Sequence, residues 1–329
     1  MKLYFFPSEP KGGATNPYSQ NYKKAIAKYV DVVDETGVPL ALNYPFLHFA
    51  FRADVFILNW IESAVFSKNG YLKFFIILFA LCVIRLRRKK IVWMFHNLRP
   101  HEGENAFSKF LQNFLFRSSS LIVAHSKDAC DYAKKRAKCE VLFFAHPVAI
   151  PLYEKYSREV PSCDVLIWGS VLPYKGILEF ISMPQVQQSL LRIRVIGTCK
   201  DVALSTAIEE NCNDLIMYEN RRIGFSELKA AITKSRYVLF PYIGSSVSSS
   251  GALIDTICLG GVPVGPNKGA FKDLEREGVC LTYKNDDEMM DILLSEQSFI
   301  NEFVRQDFIK NNSWQSFAQK INDKILNVL

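Results

Sequence analysis

The stretch DVLIWGSVLPYKG, residues 164–176, predicts a buried β-strand, a glycine turn and the beginning of a helix. Its apolar run is typical of a strand covered on both faces of a parallel sheet. Lys175 stands just before the helix, where an ammonium group and free helix amides both favour phosphate. The stretch therefore predicts a strand–turn–helix unit with a candidate anion site, although a solvated turn lysine is the alternative.

The same alternation of short apolar strands and longer helical stretches runs along the whole chain. The predicted strands are 2–6, 30–33, 54–59, 90–95, 120–124, 141–144, 164–168, 192–196, 214–217, 237–240 and 279–281. Such alternation predicts an α/β fold with mostly parallel sheets.

A boundary between two domains is predicted from the stretch 146–161, which holds three prolines and has little periodicity. We therefore expect two doubly wound domains, 1–155 and 156–329. The final helix, at about 312–329, is expected to pack back on the first domain.

Length, composition and charge narrow the function classes. The 329 residues suffice for two domains, and 49% hydrophobic with 22% charged residues excludes a disordered or collagen-like protein.

Residues 1–155 carry 22 basic and 12 acidic side chains, whereas residues 156–329 carry 18 basic and 21 acidic side chains. The cationic half predicts an anionic partner, with simple solubilising charge as the alternative. Its basic residues follow no known nucleic-acid module, so no nucleic acid is expected. Because none of the eight cysteines stands in a CxxC spacing, no zinc or dithiol site is expected.

The run FFIILFALCVI, 74–84, is apolar throughout and is followed by a basic cluster. Eleven residues are too few to span a bilayer, which takes about 20. The run predicts a helix buried on both sides, a membrane-docking helix whose basic end meets anionic lipid, or a mixture of the two. The candidate membrane residues are Phe74, Phe75, Arg87, Arg88, Lys89 and Lys90.

A dense polar cluster, HNLRPHE, follows the strand 90–95. Ligands bind beyond the carboxyl ends of parallel strands, so this is where a site is expected. His96, His101 and Glu102 are the candidate catalytic residues, because histidine exchanges protons near neutral pH and a desolvated glutamate can act as a base. Arg99 could hold an anion.

Two other features at strand ends are weaker signals. Gly12 and Gly13 precede a helix and would allow a ligand to approach the backbone closely, although an ordinary flexible turn is equally open. His125 and His146 each stand alone at a strand end, which favours a structural role.

The serine- and glycine-rich loop after the strand 237–240 predicts a cradle for a diphosphate at the start of a helix. Its alternative is a flexible low-complexity loop. Asp255, one turn into that helix, could hydrogen-bond a ribose. The candidate residues for binding a diphosphate ligand are Ser170, Lys175, Tyr242, Ser248, Ser249, Ser250, Gly251 and Asp255.

In order and spacing, these pieces resemble the GT-B glycosyltransferases, in the bacterial group whose C-terminal domain is of the glycosyl transferases group 1 type. The pieces are the glycines 12–13, the strand-end His96, GSVLPYKG at 169–176, FSELKAAITKSRYVLFPY at 225–242 and SSSGALIDTICLGGVPVGPNKGAFKDL at 248–274. HNLRPHE is similar to a stretch found in a subgroup that builds capsule, O-antigen or exopolysaccharide repeat units.

The resemblance implies two Rossmann-like domains that face each other across a cleft, and transfer of a sugar of the hexosyl type. The C-terminal domain would hold a UDP- or GDP-linked sugar without a metal. The N-terminal domain would hold a polyprenyl-diphosphate-linked saccharide, with the protein cytoplasmic and peripheral on the inner face of the cell membrane.

Individual residues follow from the same resemblance. Lys175 matches the lysine of the family's diphosphate clamp, whereas Ser170 stands where its arginine is expected. Asp255 is the nearest match to the second of two family glutamates, and Val247 falls at the first. His96 matches a histidine beside the transferred sugar. A nucleotide-sugar epimerase and a non-catalytic, transferase-like membrane partner remain the alternative functions.

Overall fold

The computed structural model describes residues 1–8, 17–33, 44–96, 105–148, 161–244, 250–295 and 300–328. The chain divides into two compact units, Met1–Pro147 with Asn312–Leu329, and Val148–Asn311. The boundary expected at 155/156 lies outside the described residues. The last helix belongs to the first unit, where the Phe317 ring packs 4.9 Å from that of Tyr22.

The first unit contains a six-stranded parallel sheet with the order β2-β1-β3-β4-β5-β6. Its strands are β1 (Lys2–Phe6), β2 (Asp31–Val32), β3 (Val55–Asn59), β4 (Lys90–Phe95), β5 (Leu121–Ala124) and β6 (Glu140–Phe143). Its helices are α1 (Pro17–Ile26), α2 (Tyr44–Ala50), α3 (Gly70–Leu86), α4 (Ala106–Ser118), α5 (Lys127–Lys134) and, from the end of the chain, α14 (Trp314–Val328).

Side chains on both faces of this sheet are buried, which explains the continuous apolar runs. In β3, all five residues are buried. Phe56 packs into one core with Trp93, while its neighbour Ile57 packs into the opposite core with Phe317. Successive side chains of a strand point to opposite faces, so a strand covered on both faces needs apolar residues throughout.

The second unit contains another six-stranded parallel sheet, with the order β12-β11-β10-β7-β8-β9. Its strands are β7 (Cys163–Trp168), β8 (Ile193–Ile196), β9 (Ile216–Glu219), β10 (Ser235–Leu239), β11 (Pro263–Pro266) and β12 (Leu281–Tyr283). Its helices are α6 (Ile177–Ile181), α7 (Pro184–Gln187), α8 (Val202–Glu210), α9 (Phe225–Thr233), α10 (Gly251–Cys258), α11 (Gly269–Arg276), α12 (Asp286–Leu294) and α13 (Glu302–Asn311). The predicted α/β class with parallel sheets is confirmed.

The apolar run 74–84 lies in α3, which is packed on one side and exposed on the other. Phe74 is buried and its ring lies 4.7 Å from that of Phe107, so it belongs to the core and not to a membrane-facing surface. Phe75 and Phe79 are 60% and 57% exposed. Among the described residues, no helix is long and apolar enough to cross a membrane.

The basic residues after α3 differ in their surroundings. Arg87 and Arg88 are exposed, whereas Lys90 is half-buried at the start of β4. Lys89 donates to a carboxylate oxygen of Asp54 at 2.6 Å. The charge of Lys89 is therefore partly neutralised by Asp54, so Lys89 adds less positive charge to this surface than the sequence predicts.

Candidate functional site

In the second unit, the strand order changes direction at β7. From this strand the chain proceeds to β8 and β9 on one side, and then crosses to β10 on the other. Open α/β sheets bind ligands beyond the carboxyl ends of the strands at such a switch point. The loops that follow β7 and β10 therefore form the candidate site of this unit.

Glycines allow these loops to pack closely. A Cβ on Gly176 would lie 2.1 Å from the carbonyl oxygen of Pro241, in the loop after β10. Gly176 also adopts a φ of 64°, in the left-handed region that side chains disfavour. The amide of Ile243 donates to the carbonyl of Tyr174 at 3.1 Å. The loop after β7 is thus held against the loop after β10.

Lys175 is the buried cation of this site, with 8% of its surface exposed. Its Nζ atom lies 5.8 Å from the centre of the Tyr242 ring. A Cβ atom on Gly169 would lie 3.6 Å from the same Nζ atom. Burial lowers the pKa of Lys175 from 10.5 to about 8. Within the described part of the chain, no carboxylate pairs with this ammonium group. An anionic ligand would relieve its desolvation.

Helix α10 begins beside this site. The Ser250 side chain caps it by accepting a hydrogen bond from the Leu253 amide at 3.3 Å, and also hydrogen-bonds Tyr242. In the first turns of the helix, Asp255 is half-buried, and burial raises its pKa from 3.8 to about 6. Trp168, the last residue of β7, donates from Nε1 to Oγ1 of Thr256 at 3.0 Å and so anchors α10 to the sheet.

In the first unit, the switch of strand order lies between β1 and β3. Asn59, the last residue of β3, donates its amide nitrogen to the carbonyl of Phe6 at 3.0 Å. That bond orients the amide, so its oxygen accepts from Nε2 of His96 at 3.0 Å. With the proton on Nε2, the Nδ1 atom of His96 carries a lone pair. His96 can therefore accept a hydrogen bond from a hydroxyl group.

Two more histidines lie at the ends of β5 and β6. Nδ1 of His125 donates to the carbonyl of Phe144 at 2.7 Å, so its Nε2 accepts from the Tyr18 hydroxyl at 2.7 Å. Nδ1 of His146 donates to the carbonyl of Pro147 at 3.0 Å, which leaves a lone pair on its Nε2. The hydrogen bonds thus assign one neutral tautomer to each ring.

Aromatic rings join these histidines into one cluster, which we call the strand-end cluster: Tyr18, Asn59, Trp60, His96, His125, His146 and Trp314. Tyr18 is its centre, with its ring 4.8 to 5.5 Å from those of all three histidines. The Trp60 indole stacks on His96 at 4.4 Å. Trp60 holds a φ of 47°, and strain of this kind in a bulky residue concentrates at functional sites.

The strand-end cluster is electrically neutral at pH 7. Burial, followed by the neighbouring His125 and His146, lowers the pKa of His96 well below 6.5. Burial lowers the pKa of His125 to about 3 and that of His146 to about 4. Neutral rings, with lone pairs remaining on Nδ1 of His96 and Nε2 of His146, suit the hydroxyl groups of an uncharged polar ligand better than an anion.

The predicted site residues divide between these two places. His96 lies in the strand-end cluster, and Ser170, Lys175, Tyr242, Ser250, Gly251 and Asp255 lie at the switch point of the second unit or in α10. Ser170 is exposed. The candidates outside the described residues are Gly12, Gly13, Arg99, His101, Glu102, Ser248 and Ser249.

Sequence reasoning missed most of the strand-end cluster. His125 and His146 each stand alone in the sequence and were expected to have a structural role, but the structure brings His125 within 5.4 Å of His96 and 5.7 Å of His146. Asn59, Tyr18 and their aromatic neighbours were not singled out. The sequence could have predicted that the histidines lie together, because each of them follows a strand and the carboxyl ends of parallel strands meet at one edge of the sheet.

No family model and no curated protein matches the sequence. Solved structures do resemble the chain. HepE from Anabaena, in complex with UDP and glucose, has a TM-score of 0.63 and 16% identity, covering 99% of this chain and 98% of that one. Sucrose-phosphate synthase from Thermosynechococcus elongatus has a TM-score of 0.71 and 10% identity, covering 99% and 98%. The lipopolysaccharide outer core galactosyltransferase WaaB, in its apo form, has a TM-score of 0.69 and 10% identity, covering all of both chains.

Identities this low show the fold alone. The match extends over nearly the full length of both chains in each pair, and each of the two sheets is parallel, as expected. The expectation from the sequence resemblance is therefore confirmed at the level of the fold: this chain has the GT-B fold shared by these glycosyltransferases.

Proposed function

We propose that this protein is a glycosyltransferase that moves a sugar from a nucleotide-diphosphate sugar to a saccharide acceptor. The observation that carries the proposal is Lys175, a buried cation at the switch point of the second sheet without a carboxylate partner in the described chain. The GT-B fold supports it, since the similar HepE was solved in complexes with UDP and with UDP-glucose.

The second unit would bind the donor. Lys175 and the first amides of α10 would hold the diphosphate, because an ammonium group and a helix N-terminus both favour phosphate oxygens. Asp255, with its pKa raised by burial to about 6, would accept or share hydrogen bonds with ribose hydroxyls. These groups would stabilise the charge on the leaving diphosphate, so the proposal requires no metal.

The first unit would bind the acceptor. An acceptor hydroxyl attacks the anomeric carbon, the bond from that carbon to the phosphate oxygen breaks, and the nucleotide diphosphate leaves with the electron pair. His96 would accept a hydrogen bond from the hydroxyl through Nδ1 and orient it. Since the pKa of His96 is low, we assign removal of the proton to Glu102 if the reaction inverts configuration, or to the donor phosphate if it retains it.

The acceptor would be a lipid-linked saccharide, such as a polyprenyl-diphosphate-linked sugar, in the synthesis of a bacterial surface polysaccharide such as capsule or O-antigen. The donor would be a UDP- or GDP-linked hexose. The exposed aromatic residues of α3 and the basic residues after it support a peripheral position on the inner, anionic face of the cell membrane.

A thermal-shift screen tests the donor site. UDP or GDP should raise the unfolding temperature, since a ligand at about 100 times its Kd adds about 2.7 kcal/mol to the free energy of unfolding. Uridine and guanosine, which lack the diphosphate, are the matched controls and should give a much smaller shift. No shift with any nucleoside diphosphate, or equal shifts with the nucleosides, would contradict the proposal. The nucleotide that binds then selects the labelled sugar for a transfer assay on membrane extracts.

A further inference from the structure

An apolar groove lies on the first unit between the C-terminal parts of α3 and α4. It has a volume of about 680 Å³, within the usual range of small-molecule sites. Its lining includes Cys82, Arg85, Leu86, Phe110, Phe114 and Arg117. Helices α3 and α4 lead directly into the starts of β4 and β5, so their C-terminal parts lie at the edge of the parallel sheet opposite to the carboxyl ends of the strands. The groove is thus separate from both candidate sites described above.

The charged side chains described in the lining of the groove are both basic. Arg85 and Arg117 line it from the last turns of α3 and α4, and its lining contains no acidic residue among those described. Both arginines are exposed, and neither forms an ion pair with the described part of the chain. Two unpaired guanidinium groups beside an apolar channel complement a ligand that has an anionic head and a hydrocarbon body.

The groove continues into the exposed apolar face of α3. Leu86 and Phe110 on its rim are 83% and 49% exposed, and Phe75 and Phe79 extend the same kind of surface towards the start of the helix. A group of exposed apolar side chains with a basic rim is typical of a binding surface. A free nucleotide or an inorganic phosphate would leave that surface in water, whereas a lipid chain would cover it.

We propose that this groove binds one molecule of an anionic phospholipid. Arg85 and Arg117 hold the phosphate, since a planar guanidinium donates paired hydrogen bonds to phosphate oxygens. One acyl chain lies along Leu86, Phe110 and Phe114, where burial of each methylene favours binding. The inference deepens the membrane part of the proposed function and rests on it, but it does not depend on sugar transfer.

The test is a calorimetric titration of the full-length protein with monomeric dioctanoyl phosphatidylglycerol below its micelle concentration. We expect saturable binding of one lipid, and at least fivefold weaker binding of dioctanoyl phosphatidylcholine. Arg85→Gln and Arg117→Gln should each weaken binding of phosphatidylglycerol by about fivefold. Arg87→Gln is the matched control, because Arg87 is exposed at the same helix end but does not line the groove. It should leave this binding unchanged. Cys82→Trp, which fills the groove, should abolish it.

A flotation assay separates this proposal from membrane docking in general. If the protein floats with vesicles of phosphatidylcholine and phosphatidylglycerol but does not bind the monomeric lipid, docking stands and the groove proposal fails. Equal weakening by Arg85→Gln and Arg87→Gln, or full binding by Cys82→Trp, also overturns it. The UDP or GDP thermal shift should persist in every variant, which shows that each one folds and that the donor site is independent.

Discussion

Replacement of Lys175 by methionine should make the free protein more stable and its nucleotide binding weaker. Methionine keeps an unbranched side chain of similar length but removes the charge. In the folded protein this charge is buried, and the described chain supplies no carboxylate to offset it. A group retained at such a cost to stability is expected to act in binding.

The size of both effects follows from the burial of Lys175. A fall in pKa from 10.5 to about 8 corresponds to about 3 kcal/mol of destabilisation while the lysine is charged. Lys175→Met should therefore raise the free energy of unfolding at pH 7 by up to about 3 kcal/mol. Loss of a charge-assisted contact to phosphate should cost about 2 to 3 kcal/mol of binding, roughly a thirty- to hundredfold increase in Kd for the nucleoside diphosphate.

The dependence on pH has a definite sign. Below pH 8 the lysine is protonated in both the folded and the unfolded state, so the folded wild type carries the full cost. Between about pH 8 and 10.5 the unfolded state binds more protons, and the stability of the wild type should rise with pH towards that of the variant. Nucleotide binding should weaken over the same interval and be accompanied by proton uptake, because the phosphates favour the charged lysine.

Chemical denaturation of the free protein and calorimetric titration with UDP or GDP, at pH 7 and pH 9.5, measure these quantities. Lys284→Met is the control, since Lys284 is an exposed lysine after β12 in the same unit. It should change neither stability nor affinity appreciably. If Lys175→Met leaves stability and affinity as they are in the wild type, the buried ammonium group of Lys175 is not the phosphate-binding group, and the assignment is refuted.

Three other variants test the remaining groups. Asp255→Asn should raise the free energy of unfolding at pH 7 by about 2 kcal/mol after allowance for partial exposure, because burial raises the pKa of Asp255 to about 6. That gain should disappear below pH 4, as denaturation curves at both pH values would show. Asn59→Ala should lower kcat of the transfer reaction by at least tenfold with the Kd of the donor unchanged, because His96 loses the bond that selects its tautomer; an unchanged kcat would remove that positioning role. The pKa values of His125 and His146, lowered by burial to about 3 and about 4, predict that stability falls as the pH drops from 6.5 towards 4, since the unfolded state binds more protons there. His146→Gln should flatten this loss in tryptophan-monitored denaturation, and an equal slope in the variant would contradict it.

The fold was accessible from the sequence because its signals are local. Each predicted strand is a short apolar run that ends at a polar or glycine-rich turn, and a strand buried on both faces needs no information from distant residues to be identified. Gly176 before α6 and the serine loop before α10 likewise mark the places where the chain turns from strand to helix. Lys175, in the turn after the strand 164–168, could therefore be proposed as a candidate from sequence order alone, whereas the switch point beside it depends on the order of the strands in the sheet.

The strand-end cluster was not accessible in the same way. Asn59, His96, His125 and His146 come from four different strand ends, separated by 21 to 37 positions along the chain. Only the order of the strands in the sheet brings them together, and only their hydrogen bonds decide which nitrogen of each ring carries the proton. The sequence could not decide which side of α3 is exposed for a similar reason. The run 74–84 is apolar on every face of the helix, so only packing in the folded chain makes Phe74 buried and Phe75 exposed.

The sequence by itself determined the strands, the turns and the α/β class, because these depend on patterns of neighbouring residues. The tertiary structure decided which side chains meet and which charges are buried. In the sequence, Lys175 is a candidate phosphate ligand with a solvated turn lysine as the alternative, and its burial with no carboxylate partner among the described residues favours the first interpretation. Burial and the meeting of strand ends are properties of the folded chain, since they depend on residues far apart in sequence.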